Sequence, residues 1–471
     1  MHAFQKHKTN TFFALLTLPA TAMGFALSIQ ISALSWILTT KYGLDIHDVG
    51  LVWAAGPLAG IIGQVIIGVV SDRVWFWNGR RRPFILIGGV LAALMLLALP
   101  NLDVISAGLG VGGILGIAII VALTLDLAIN VSFNPTRAII ADVTESGDER
   151  TKGYTWMQSI SGTFGVLAYA IGAVFDNYVL IYGGVVIVLL FSILPPLFIA
   201  EPRELASEEQ PAAGEPPARK EDSLLAMLVA IRPLWGFLAY DIFAMGRRLA
   251  GVQPDYYYAE IACGVVTVAL VIQALLEKGE GGLPAFRKVI AAHSFSWVGI
   301  QTTFVFLFAF LQQSMPHLSG IDMGRVGSIS FLVLNAIGAV LPAFVLMPVA
   351  RRIGRIRTHV ICLASMTAGY VGLYFLGSSP LRLYGLMAVV GIGWAAIVSL
   401  PFAIVSQKVS QARMGLYMGL FNLSVVLPQL VVSLGVALLV SRAADKGVIF
   451  AISAISLALS AVAWSLVRED T

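Results

Sequence analysis

An aspartate and an arginine stand eleven positions apart in one oily stretch, LTLDLAINVSFNPTRAIIADV, residues 123–143. Asp126 interrupts the apolar run and Arg137 follows near its end. At about 100° per residue the two side chains come within about 20° of one direction on a helix, roughly 16 Å apart along its axis. Asn130 lies one turn from Asp126, and Pro135 is placed to kink the helix and shorten the separation. An ionisable side chain inside an apolar helix costs at least about 2.5 kcal/mol, so it usually faces a cavity and acts there. Dry surroundings favour a carboxyl in its uncharged form, whereas a nearby guanidinium favours the ionised form. Such a pair can exchange a proton against a polar ligand. The bland alternative is a static pair that holds helices together.

The elements that must position these residues are membrane helices. Of the 471 residues 58% are hydrophobic and 12% charged, and the mean hydropathy is +0.87; soluble domains carry about 25% charged residues. Uncharged runs of about 20 residues recur, the length a helix needs to cross about 30 Å of hydrocarbon. The alternation of a membrane β-barrel is absent. The fold class is therefore all-α and polytopic. Candidate spans fall at 11–38, 49–71, 83–100, 106–133, 154–174 and 178–199, then at 289–311, 326–349, 358–377, 382–407, 414–440 and 447–467.

Between the two sets lies EPRELASEEQPAAGEPPARKEDS, whose Pro, Ala and Glu content marks a connector. The expected organisation is a six-helix bundle at 1–200, a hydrophilic linker at 201–223, an inserted hydrophobic helix pair at 224–286 and a second six-helix bundle at 287–471. The N-terminus imitates a signal peptide, but its apolar run is too long for one and reads as an uncleaved first span.

Basic residues set the expected orientation. Arg73 with Arg80, Arg81 and Arg82 follows span two, and Arg351, Arg352, Arg355 and Arg357 follow the second span of the later six. Both clusters face the cytoplasm by the positive-inside rule, as do both termini. The number of spans between them is then even, so the inserted segments 224–246 and 256–276 either both cross or both lie at the interface. The crossing pair is the preferred reading, although Arg232, Pro233, Asp241, Arg247 and Arg248 make its first helix unusual.

The net charge is +4, but the cations sit in short clusters between apolar runs, which does not suit nucleic acid. Cys263 and Cys362 both fall in apolar segments, so neither a disulfide nor a metal site is expected. No metal-ligand cluster, nucleophile elbow or phosphate loop appears, and nothing points to an enzyme.

GVVSDRVWFWNGRRRPFILIG, residues 68–88, places Asp72 and Arg73 at the end of span two and Gly79, Arg80, Arg81 and Arg82 before span three. An acid facing guanidiniums at helix ends can form charge-assisted pairs that break when helices separate, which suits a gate. The pattern resembles the signature loop of the major facilitator superfamily, and its spacing is similar to that of the sucrose/proton symporters within the glycoside-pentoside-hexuronide:cation group. A weaker echo, MPVARRIGRIR at 347–357, fits a repeat of six helices. LDLAINVSFNPTRAIIADV in span four likewise resembles the symporters' helix-four motif at Leu125, Asp126, Leu127, Ala128, Asn130, Pro135, Arg137, Ala138, Ala141 and Asp142. VWAAGPLAG, YTWMQSISGTFGVLAYAIG, FSWVGIQTTFVF and LYMGLFNLSVVLPQLVVS are similar to the family's helices two, five, seven and eleven. Ile129, Asn134 and the stretch GIDMGRVGS depart from the family pattern.

The resemblance implies a major facilitator fold that imports a disaccharide or glycoside, of sucrose or maltose type, with a proton. Asp126 then takes the proton and Arg137 engages the sugar, with Asp72, Arg73, Gly79, Arg80, Arg81 and Arg82 gating. Sugars are bound by amides and charged groups, with aromatic rings covering apolar ring faces. Gln30, Asn130, Gln158, Trp297, Gln301, Asn422 and Gln429 are therefore the further sugar-site candidates, and a helix-to-helix hydrogen bond is the plain use of each amide. Histidines are poor proton-site candidates, and only His293 is close to a span. The expected partners are the sugar and the bilayer of a bacterial inner membrane, around a monomer with no cofactor beyond the coupling ion. Sodium stands as the other coupling ion, and a uniporter or exporter with a structural Asp126 as the other function.

Overall fold

The structure, a computed structural model, describes residues 5, 7–110, 112–145, 148–202, 224–250, 252, 257–279, 282–409 and 414–468. Within these it describes every side chain except those of 61–73, 134, 148, 151, 224–225, 249, 343 and 414–415. The gating candidates Asp72 and Arg73 thus lie outside the described side chains. Nineteen α-helices run through the described residues. The first seven are α1 (Asn10–Thr40), α2 (Ile46–Arg73), α3 (Arg82–Ala98), α4 (Leu102–Leu109), α5 (Ile114–Val143), α6 (Asp148–Val174) and α7 (Asn177–Phe198). The inserted segment forms α8 (Leu224–Ala230), α9 (Trp235–Leu249) and α10 (Tyr258–Leu275). Then come α11 (Gly282–Ser314), α12 (Gly320–Leu341), α13 (Met347–Ile353), α14 (Arg355–Leu376), α15 (Pro380–Ile397), α16 (Leu400–Lys408), α17 (Met414–Val431), α18 (Ala437–Arg442) and α19 (Val448–Ser465).

Twelve helices among the described residues are long and apolar enough to cross a membrane, and the protein is an integral membrane protein. Their outer faces carry the exposed apolar side chains that lipid solvates, such as Ile261, Val265, Val268 and Ile272 on α10. Span four differs from its expected bounds of 106–133. Gly110, in a left-handed turn at φ +63°, ends α4, and Gly113 at φ +101° precedes α5. Residues 102–109 therefore continue the preceding helix, and α5 runs on to Val143 through Pro135, so that Asp126, Arg137 and Asp142 share one element.

The chain divides into two compact units, one of residues 1–44, 55–215 and 318–332, the other of 45–54, 216–317 and 333–471. In the first, α1 packs on α6 and α7, and α3 on α5 and α7. Phe12, Phe13, Leu16, Ile85, Ile139 and Ile140 form a core between α1, α3 and α5. The start of α12 is docked by hydroxyls and an amide: Ser328 Oγ donates to Asn177 Oδ1 at 2.8 Å and meets Ser32 Oγ at 2.7 Å. Trp36 Nε1 donates to the Gly320 carbonyl at 2.6 Å.

In the second unit α11 packs on α17 and α19, and α14 on α15 and α19. Serines mediate close approach, as expected where lipid supplies no hydrophobic drive between helices. Ser296 and Ser460 hydroxyls lie 2.7 Å apart, and Ser453 donates to the Gly299 carbonyl at 2.7 Å.

The inserted α9 and α10 pack on each other, α9 also on α17 and α10 on α11. At one end Glu277 accepts from Arg287 at 2.6 Å and from Arg232 at 3.4 Å. At the other, Arg247 meets Glu260 at 3.1 Å, and Arg248 contacts both ring nitrogens of His47 at 2.7 and 3.2 Å. The arginines that look misplaced in the sequence are thus held by an acid and an imidazole. With 15 residues α9 is about 22 Å long, and α8 with the turn at Arg232–Leu234 lengthens the run.

Candidate functional site

Asp126 is buried in the first unit, 6% exposed, where α5 meets α1 and α2. Gln30 of α1, 4% exposed, donates its Nε2 hydrogen to Asp126 Oδ2 at 2.9 Å. On the α2 side the neighbour is Gly56, where a Cβ would stand 3.2 Å from Oδ2. Glycine there leaves the space the carboxylate occupies. Asn130 donates to the Asp126 backbone carbonyl at 2.8 Å, a bond within the helix.

Arg137 is exposed, and its guanidinium lies over the Phe133 ring at 4.2 Å. No carboxylate among the described residues pairs with it. The helix therefore carries a buried acid with an amide partner and a guanidinium open to a ligand, and the two charges do not form a static pair. Gln158 on α6 is likewise exposed, and it is not among the residues, Thr155, Trp156, Ser159 and Thr163 of the same helix, that line a cavity of about 350 Å³.

The arginine loop has its own architecture. Phe76 and Gly79 exchange backbone hydrogen bonds at 3.1 Å across Trp77 and Asn78, which have φ +47° and +58°. This is a tight hairpin turn of the primed type. The start of α3 has no side-chain cap of its own. Glu201, just past α7, supplies one: its carboxylate accepts from the backbone N–H of Arg80 and Arg81 at 2.8 Å each and of Arg82 at 2.7 Å. A carboxylate at a helix N-terminus satisfies otherwise orphaned donors and complements the helix dipole. At Gly79 a Cβ would lie 2.9 Å from Glu201 Oε1, so any larger residue pushes that carboxylate aside. Arg81 also pairs with Asp142 at the end of α5 at 3.0 Å, both side chains nearly buried.

The second unit holds an aromatic and amide wall. Trp297 and Gln301 lie one turn apart on α11; the Trp297 ring packs edge-on to Trp394 at 6.1 Å, and Gln429 Nε2 donates to Gln301 Oε1 at 3.2 Å. Trp394 Nε1 donates to Asn335 Oδ1 at 3.2 Å. Asn422, half-buried on α17, makes no hydrogen bond among the described residues.

The sequence profile of the Major Facilitator Superfamily matches residues 16–433. The chain belongs to the Major Facilitator Superfamily. A sucrose transport protein of Arabidopsis thaliana is 24% identical over 89% of this chain and 83% of its own length. One of Oryza sativa subsp. indica is 26% identical, over 90% and 80%. A general alpha-glucoside permease of Schizosaccharomyces pombe is 29% identical over 33% of this chain and 31% of its own length. Among solved structures, the POT family transporter PepTSo superposes with a TM-score of 0.67 at 11% identity, over 97% of both chains. The xylose transporter XylE from E. coli gives 0.61 at 16% identity, over 98% of this chain and 97% of its own. These two likenesses establish the fold.

As a member of the Major Facilitator Superfamily the chain is a transporter and not an enzyme. Gly56, Glu201 and Asn335 of this superfamily member carry no signal of their own in the sequence, and His293 stands out there only as a histidine close to a span. Gly56 stands in the quoted VWAAGPLAG, but only the fold brings it against Asp126. Glu201 reads as the first residue of the connector. Asp45, His47 and Asp48 offer ligand atoms within 4.8 Å of one another, yet the Arg248 guanidinium lies against the His47 ring and donates to whichever of its nitrogens is bare.

Proposed function

We propose that this transporter imports a disaccharide or glycoside of the sucrose or maltose type by proton symport and alternating access. The observation that carries the proposal is the α5 pair: Asp126 is buried with Gln30 as its donor, and Arg137 faces no acid among the described residues. Asp126 is the proton carrier, since a buried carboxyl with an amide donor can hold or release a proton without losing its place. Arg137 supplies up to five N–H donors for sugar hydroxyls. Trp297, Gln301 and Gln429 offer the ring face and amides that a pyranose needs. The arginine loop and its Glu201 clamp act as the gate, with both termini in the cytoplasm and the bilayer a cell's inner membrane. The sugar relatives in plants and in fission yeast support the substrate class.

The test is uptake of labelled sucrose and maltose into proteoliposomes with and without an inward proton gradient, for the native chain and Asp126→Asn. The expected result is gradient-driven accumulation by the native chain and only exchange by the variant. Uptake indifferent to the proton gradient would remove proton symport, and movement of neither sugar would remove the substrate class.

A further inference from the structure

His293 of α11 has an ionisable side chain whose chemistry the transport reading leaves unused. It is 1% exposed in the interior of a membrane helix, where a leucine would fill similar space with no polar group to satisfy. Among the described residues it makes a single hydrogen bond: Trp297 Nε1 donates to His293 Nε2 at 2.9 Å, one turn along the helix. Accepting at Nε2 requires that nitrogen to be bare, so the ring proton of the neutral imidazole sits on Nδ1. The ring itself is clamped. It stacks on Phe421 at 4.8 Å and 21°, and its edge meets Trp464 at 6.4 Å.

His293, Trp297 and Gln301 succeed one another at four-residue intervals, hence along one face of α11. Trp297 is half-buried, and its far side meets the Trp394 ring, which Asn335 holds in turn. An indole turns about a staggered χ1 and a broad χ2, and a hydrogen bond to its N–H narrows the orientations open to it. The buried imidazole accepts that bond and so serves as a tie.

We propose that His293 is a positioning residue: it fixes the Trp297 indole so that this ring and the Gln301 amide are presented together to a sugar. The sugar rests on the function proposed above, but the tie between the two side chains does not. The proposal makes His293 a determinant of affinity without any contact to the ligand. Replacing it by phenylalanine keeps the ring stack on Phe421 and removes the acceptor, whereas glutamine keeps an acceptor.

The experiment therefore has two arms. In proteoliposomes, His293→Phe raises the half-saturating sugar concentration roughly fivefold, the size of one neutral hydrogen bond, with a smaller effect on maximal rate. His293→Gln restores most of it, and His293→Phe adds nothing further in a Trp297→Phe background. A loss confined to maximal rate, or effects that add in the double variant, would overturn the proposal. The second arm needs no substrate: with 5-fluorotryptophan, the fluorine line missing in Trp297→Phe identifies this indole. That line shifts in His293→Phe and stays near its native position in His293→Gln. A line unmoved in both variants refutes the tie. A moved line in a protein that transports neither sucrose nor maltose keeps the tie and removes only the substrate reading.

Discussion

Gln30 gives one amide hydrogen to the Asp126 carboxylate at 2.9 Å, and both side chains are buried. A hydrogen bond to a charged group contributes about 1.5–3 kcal/mol, so its removal changes how readily the carboxyl gains and loses a proton. Gln30→Leu is expected to lower the initial rate of gradient-driven sugar uptake by roughly tenfold or more. Counterflow exchange across equal pH is expected to suffer less. The two rates measured on one preparation check this, and an equal loss in both would assign Gln30 to packing.

Gly56 admits the same carboxylate from the other side. A Cβ there would stand 3.2 Å from Asp126 Oδ2, so Gly56→Ala moves the carboxylate by a few tenths of an ångström and Gly56→Val displaces it. Uptake is expected to fall in that order at normal protein levels in the membrane. Valine with native uptake would show that the pocket's shape is not limiting.

Glu201 closes the arginine hairpin onto the end of α7. Glu201→Ala strips three backbone donors of their acceptor and is expected to lower stability by about 1–2 kcal/mol. Gly79→Ala pushes against the same carboxylate from 2.9 Å and should weaken the same clamp. Thermal unfolding in detergent of both single variants and the double variant checks the link. The double variant is expected to be little worse than the more severe single one.

The Arg81 to Asp142 pair is nearly buried, with side chains 8% and 10% exposed. Breaking a nearly buried pair by removing one partner costs about 3–5 kcal/mol. Arg81→Gln and Asp142→Asn are each expected to unfold at lower temperature than the native chain. Their combination should recover much of the loss, and a further drop in the double variant would contradict the pairing.

His47 sits in the first turn of α2, ahead of its apolar run, and predicts a pH dependence. Burial and then the Arg248 guanidinium hold its pKa below the usual 6.5, against the opposing pull of Asp45 and Asp48. The folded state therefore favours the neutral imidazole, and the unfolded chain takes up the proton first. Its contribution to stability is fully present above pH 6.5 and is lost as the pH falls through the lower folded value. Between pH 8 and pH 5 the native chain should lose thermal stability relative to His47→Gln, which cannot titrate. Parallel curves for the two proteins would exclude the contact as a pH-sensitive one.

Much of the fold is legible because length and hydropathy alone decide what can cross a bilayer. Most of the spans announce themselves in that way. The end of α4 is harder, since residues 106–133 are apolar on both sides of the break and the positive-φ glycines Gly110 and Gly113 divide them. At the site, the cost of Asp126 in an oily helix marks it at once, while Gly56 carries no such signal. Glycine matters there for an atom it lacks, and the carboxylate that fills the gap lies 70 residues away. His293 reads as an unremarkable neighbour of a span until the fold shows that, among the described residues, its one hydrogen bond goes to Trp297.

The Glu201 clamp also carries a schedule. Arg80, Arg81 and Arg82 precede their acceptor by 121, 120 and 119 residues. During synthesis they leave the ribosome long before it, with α4 to α7 still to be made. The hairpin therefore stays unlatched until the last of these helices has been made.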